Sequence, residues 1–113
     1  MKKRILIVDD GPDITFSLKE ILKENGFVYV YTSNDPTEVI SKYKPRIYDL
    51  LIIDVLMPKI NGFELYEKIN KIDNKVKAWF ITAYEVYYKS LKEIYPNFEV
   101  DCFIKNQFKM KTY

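Results

Sequence analysis

The chain contains no histidine, a single cysteine and no apolar run long enough to cross a bilayer. Each absence removes some chemistry. Without histidine there are no imidazole metal ligands, no histidine-activated nucleophile and no phosphohistidine carrier. The lone Cys102 excludes an intrachain disulfide and suits a reducing compartment. Lys and Arg number 18 against 16 for Asp and Glu, and a net charge of +2 supplies no field to hold nucleic acid or an anionic membrane. The one basic cluster, Lys2, Lys3 and Arg4, is too short to change this. Met1 to Val8 follows the basic-then-apolar order of a signal peptide, but Asp9 and Asp10 interrupt it before the usual length. A soluble cytoplasmic protein is the expectation. At 113 residues and 48% apolar composition the chain fits one compact domain, residues 1–113, with no separate output domain.

Apolar runs of strand length alternate with segments of helical period, the pattern of repeated βα units around a parallel sheet. Strands are expected near residues 4–8, 27–31, 49–53, 76–81 and 100–104. Ile14, Leu18, Ile21 and Leu22 share one helical face, with Gly26 placed as a C-terminal cap. Asp35-Pro36-Thr37-Glu38 opens a second helix with an N-cap aspartate and proline at the first helical position. A third helix follows Asn61-Gly62, with Leu65, Ile69 and Ile72 inward. A fourth begins after Ala83 and closes before Pro96. The first, third and fourth strands are almost continuously apolar, as central strands covered on both faces should be, whereas Tyr29 and Tyr31 mark the second as an edge. The few residues after Lys105 allow only a short last helix or none.

Three of these strands run into functional groups: the first into Asp9 and Asp10, the third into Asp54, the fifth into Lys105. Strand C-termini in a parallel sheet share one edge, so these groups converge. Crowded carboxylates raise one another's pKa unless a cation intervenes. Oxygen donors without His or Cys select a hard ion, and a site that keeps positions for water and phosphate favours Mg²⁺ over Ca²⁺. Three carboxylates, one Mg²⁺ and Lys105 cancel in charge, so an anionic phosphoryl group can enter. A carboxylate can attack phosphorus to form an acyl phosphate, and the loose transition state asks mainly for positioning and neutralisation of the equatorial oxygens. Thr82, at the end of the fourth strand and followed by small Ala83, adds a hydroxyl on the same edge.

Each feature alone has an ordinary explanation. An Asp pair after a strand can be a cap or a solvated turn, a Thr a helix N-cap, a Lys merely exposed, and Met57-Pro58 with Asn61-Gly62 a pair of turns. Their joint order, each behind the appropriate strand, favours the chemical reading.

These residues together resemble the receiver domain of two-component response regulators, across residues 3–108. The resemblance rests on Asp9-Asp10, on Asp54 within Ile-Ile-Asp-Val-Leu-Met-Pro-Lys-Ile-Asn-Gly, on Thr82-Ala83 and on Lys105. It implies a flavodoxin-like, doubly wound (βα)5 fold with a five-stranded parallel sheet of order 2-1-3-4-5. It further implies phosphorylation of Asp54 by a sensor histidine kinase or histidine phosphotransfer protein. Asp10, Asp54 and the backbone carbonyl of Leu56 would hold Mg²⁺, with Asp9 acting largely through water, and Thr82 and Lys105 would contact the phosphoryl oxygens. Such a domain catalyses only its own phosphoryl transfer and loss. It signals to a downstream effector as a monomer or weak dimer.

The chain departs from the family pattern at three places. Asn106 stands where proline usually follows the lysine, and a cis bond there would cost about 3 kcal/mol. Cys102 stands where the switch aromatic usually lies, with Phe103 one position off and facing the other way by strand alternation. The final helix is cut short. Tyr84, Tyr88, Leu91 and Tyr95 form one stripe on the fourth helix that either covers the sheet or offers an aromatic partner surface. Leu56 and Tyr84 would flank the phosphoryl group and slow its hydrolysis. Two other classes compete: a pseudo-receiver that binds partners without phosphorylation, and a dehalogenase-like phosphoaspartate hydrolase, which would need an acid where Leu56 stands.

Overall fold

The computed structural model describes residues 2–81 together with the backbone of residues 82 and 103–105. Five segments rich in aliphatic and β-branched residues form strands: β1 (Arg4–Val8), β2 (Tyr29–Ser33), β3 (Leu50–Asp54), β4 (Lys77–Thr82) and β5 (Phe103–Lys105). They pair in parallel in the order β2-β1-β3-β4-β5, which is the doubly wound topology expected from the sequence. Helices α1 (Pro12–Glu24), α2 (Pro36–Lys42) and α3 (Gly62–Ile72) supply crossovers. The expected fourth helix with its tyrosine stripe, Cys102, Asn106 and the expected short or missing last helix fall outside the described residues.

Alternation along the strands builds two cores. Leu6, Val8, Leu51, Ile53, Ala78 and Phe80 face α2 and α3, where Phe63, Leu65 and Ile69 meet them. Ile5, Ile7, Ile52 and Ile81 face α1 and its Leu18 and Leu22. β1 and β3 are therefore covered on both sides. β2 is the edge strand, with Tyr29 and Tyr31 exposed, as expected.

Several expectations shift on contact with the structure. β2 starts two residues late because Gly26, at φ 94°, closes α1 in a Schellman turn: the Phe27 amide donates to Leu22 O at 3.0 Å, so pairing begins only at Tyr29. Lys105 is the last residue of β5 rather than its successor, and the expected start of that strand at residue 100 lies outside the described residues. Thr15, not predicted to be inside, is buried on α1. Ile72 is exposed instead of inward, since α3 ends there and the next residue, Asp73, turns inward in its place. Trp79 in β4 stays 40% exposed, so that strand is not fully covered on both faces.

Asp73 fastens the end of the sheet opposite the carboxylates. It accepts hydrogen bonds from Tyr43 Oη at 2.9 Å, from the Arg46 amide at 3.2 Å and from the Lys75 amide at 3.3 Å. Burial pushes its carboxyl up, but these donors together outweigh burial and hold it below the usual carboxylate value. Burial, and then the Asp73 contact, push the Tyr43 phenol up. The α2–β3 and α3–β4 loops are thereby tied to each other.

Candidate functional site

The three aspartates arrive at one edge because β1 and β3 are adjacent and in register, Val8 beside Ile53. Asp9 and Asp10 follow the last residue of β1, and Asp54 is the last residue of β3. Asp9 and Asp54 are buried while Asp10 is exposed, and one carboxylate oxygen from each lies within 4.8 Å of the others. The loops hold these groups locally. The Gly11 amide donates to Asp9 Oδ1 at 2.9 Å, and the Leu56 amide donates to Asp54 Oδ1 at 3.3 Å.

The chain after Asp54 is built to return quickly. The Val55 amide donates to Ile81 O at 3.0 Å, which carries the β3–β4 ladder one step past the aspartate. Met57 is anchored in the core beside α3, Lys59 takes a left-handed φ of 73°, and Asn61 opens α3 through a reciprocal capping box with Glu64. Gly62 then passes directly over the end of β3. Its amide donates to Val55 O at 3.0 Å, and a Cβ there would lie 2.5 Å from Asp54 O. Sequence reading takes Asn61-Gly62 as turn punctuation; the turn exists, but the glycine is required by this close approach.

Thr82 and Lys105 are register partners at the ends of β4 and β5, and Thr82 lies one position beyond the Asp54–Ile81 pair. The backbone thus brings both to the carboxylate edge, as expected; their side chains lie outside the described residues. Two further residues at this edge escape sequence reasoning. Asn34 Nδ2 donates to Asp9 O at 2.8 Å and to Thr15 Oγ1 at 3.1 Å. An Asn before Asp-Pro reads only as part of a turn, and Thr15 reads as an interruption of an apolar face.

The donor set fits a hard divalent cation. It consists of carboxylates alone, and two of the three are buried, where uncompensated like charge is costly. Exposed Asp10 leaves the site open to water.

A five-stranded 2-1-3-4-5 sheet with an acidic cluster outside its carboxyl edge makes this a doubly wound domain whose edge suits a cation, not the glycine-rich phosphate turn of a dinucleotide-binding domain. The chain belongs to the response regulator receiver domain family, which its residues 5–111 match. It is 35% identical over 83 residues to the chemotaxis protein CheY of Bacillus subtilis, covering 74% of this chain and 69% of that protein. Among solved structures it resembles the non-phosphorylated receiver domain of HemR from Leptospira biflexa, with 30% identity, 97% of this chain and 86% of that chain covered, and a TM-score of 0.77. It also resembles the response regulator TrrA from Thermotoga maritima in complex with Mg²⁺-BeF, with 32% identity, 96% and 95% coverage, and a TM-score of 0.73. Receiver domains are signalling modules of two-component systems, and no helix among the described residues is long and apolar enough to cross a membrane.

Proposed function

We propose that Asp54 is the phosphoacceptor of this receiver, taking a phosphoryl group from a phosphohistidine on a sensor kinase or histidine phosphotransfer protein. An Asp54 carboxylate oxygen attacks phosphorus. The bond to the imidazole nitrogen breaks, and the electron pair stays with the imidazole. Asp9, Asp10, Asp54 and the Leu56 carbonyl would hold Mg²⁺. Bound there, the cation supplies neutralisation of the carboxylates and of the phosphoryl oxygens. Thr82 and Lys105 take the remaining phosphoryl oxygens, consistent with their adjacent register positions on the same edge. The phosphorylated domain then signals by binding a downstream effector.

The observation that carries this reading is the convergence of three carboxylates within 4.8 Å around the end of β3. The Mg²⁺-BeF complex of the related TrrA supports the choice of ion and of a phosphoryl-like ligand. Absence of histidine agrees with an acceptor rather than a donor. The test is intact mass after treatment with Mg²⁺ and acetyl phosphate or phosphoramidate. Wild type should gain one phosphoryl group and Asp54→Asn none; equal modification of both, or of neither, overturns the assignment.

A further inference from the structure

We infer that Asn34 is a positioning residue for the metal-binding loop, setting Mg²⁺ affinity without touching the ion; this rests on the proposed Mg²⁺-dependent phosphoacceptor reading. The β1–β2 ladder pairs Val8 with Ser33 and continues one step further, the Asp9 amide donating to Ser33 O at 3.2 Å. A parallel ladder would next present a backbone amide of the second strand to the Asp9 carbonyl. Here the Asp35 amide turns to Ser33 Oγ at 3.3 Å, because the chain is already entering the cap of α2. The side-chain amide of Asn34 takes its place, donating to Asp9 O at 2.8 Å.

That single bond has leverage on Asp10. The peptide unit is planar, so fixing the carbonyl of Asp9 fixes the plane that leads into Asp10. Asp10 is the exposed member of the carboxylate cluster. The second N–H of Asn34 closes the brace: it donates to buried Thr15 Oγ1 at 3.1 Å, whose own hydroxyl donates to Pro12 O at 3.1 Å. The loop of residues 9–12 is therefore held from both ends by one amide anchored on the β2–α2 turn. Outer groups that orient metal ligands typically change affinity by about 10- to 100-fold when removed.

The test measures Mg²⁺ binding directly by isothermal titration calorimetry on the intact chain, beside phosphorylation rate as a function of Mg²⁺. Asn34→Ala should weaken Mg²⁺ binding about 10-fold, while its phosphorylation rate at saturating Mg²⁺ stays close to wild type. Thr15→Val, which removes the second acceptor, should weaken binding by a smaller factor, and Thr15→Ser, which keeps the hydroxyl, should restore it. Unchanged Mg²⁺ affinity in Asn34→Ala overturns the inference. So does a rate that stays depressed at saturating Mg²⁺, since that marks general structural damage. Failure of wild type itself to bind Mg²⁺ overturns instead the functional reading on which the inference rests.

Discussion

Replacing Gly62 by alanine tests how closely the acceptor strand and α3 are fitted. The added Cβ would lie 2.5 Å from Asp54 O, 2.9 Å from Ile53 Cγ2 and 3.0 Å from Asp54 C, whereas ordinary contact begins at 3.4 Å. The worst overlap is thus about 0.9 Å, and two of the three atoms are backbone that cannot swing aside. Either α3 lifts or the end of β3 yields. Overpacking of this kind costs about 1–3 kcal/mol, and a backbone obstacle puts Gly62→Ala near 3 kcal/mol. Because the displaced atoms belong to Asp54 itself, the rate of phosphorylation by a small phosphodonor should fall as well. A misplacement of about 1 Å can cost on the order of 100-fold. Urea unfolding and phosphorylation kinetics read the two effects separately. Gly11→Ala is the control, since its Cβ would meet Ile14 Cγ1 at 3.3 Å and Asp9 Oδ1 at 3.5 Å, at or close to ordinary contact and with no backbone atom in the way. It should cost less than about 1 kcal/mol. Equal losses in the two variants, or a Gly62→Ala protein as stable and reactive as wild type, would refute the steric argument.

Asp73→Asn should destabilise by about 2 kcal/mol at neutral pH, because three donors lose a charged acceptor. The folded-state pKa of Asp73 is depressed below 3.8, so its contribution is complete above that value and fades as pH falls through the folded pKa; the wild-type advantage in urea titrations should shrink in the same window. Lys59→Gly relieves a left-handed φ of 73° at the expense of a freer unfolded chain, and the net expectation from thermal melts is a gain of up to about 1 kcal/mol. Mg²⁺ at about 100 times its dissociation constant should stabilise wild type by about 2.7 kcal/mol in urea titrations relative to EDTA. It should stabilise Asp54→Asn less, since that variant removes one of the three carboxylates of the cluster. Equal stabilisation of both proteins would count against a shared cation site.

The alternation of apolar runs with helical periods places the sheet, because burial of central strands leaves continuous runs such as Ile5–Val8, Leu51–Ile53 and Ala78–Ile81. Boundaries were harder, for reasons particular to each end. Phe27 and Val28 look like strand by composition, but the Schellman turn at Gly26 spends the Phe27 amide on α1 before pairing can start. Ile72 keeps the helical spacing of Leu65 and Ile69, yet the last turn of a helix is where a following side chain can take over the inward position, and Asp73 does so with donors already waiting from the α2–β3 loop.

The site divides along the same physical line. The placement of Asp9, Asp10, Asp54, Thr82 and Lys105 is legible because each sits at a strand end, and parallel topology alone brings them to one edge. Asn34, Thr15 and Gly62 are not, because their roles are defined by partners that only the fold supplies. Asn34 replaces a backbone amide that α2 capping has taken away, Thr15 accepts from that side-chain amide, and Gly62 matters through its close approach to the end of β3 rather than through its turn. Charge in this domain is therefore placed by topology and aimed by loops. Changes to Asn34 and Thr15 should alter Mg²⁺ affinity while leaving the sheet and the place of Asp54 at its edge intact.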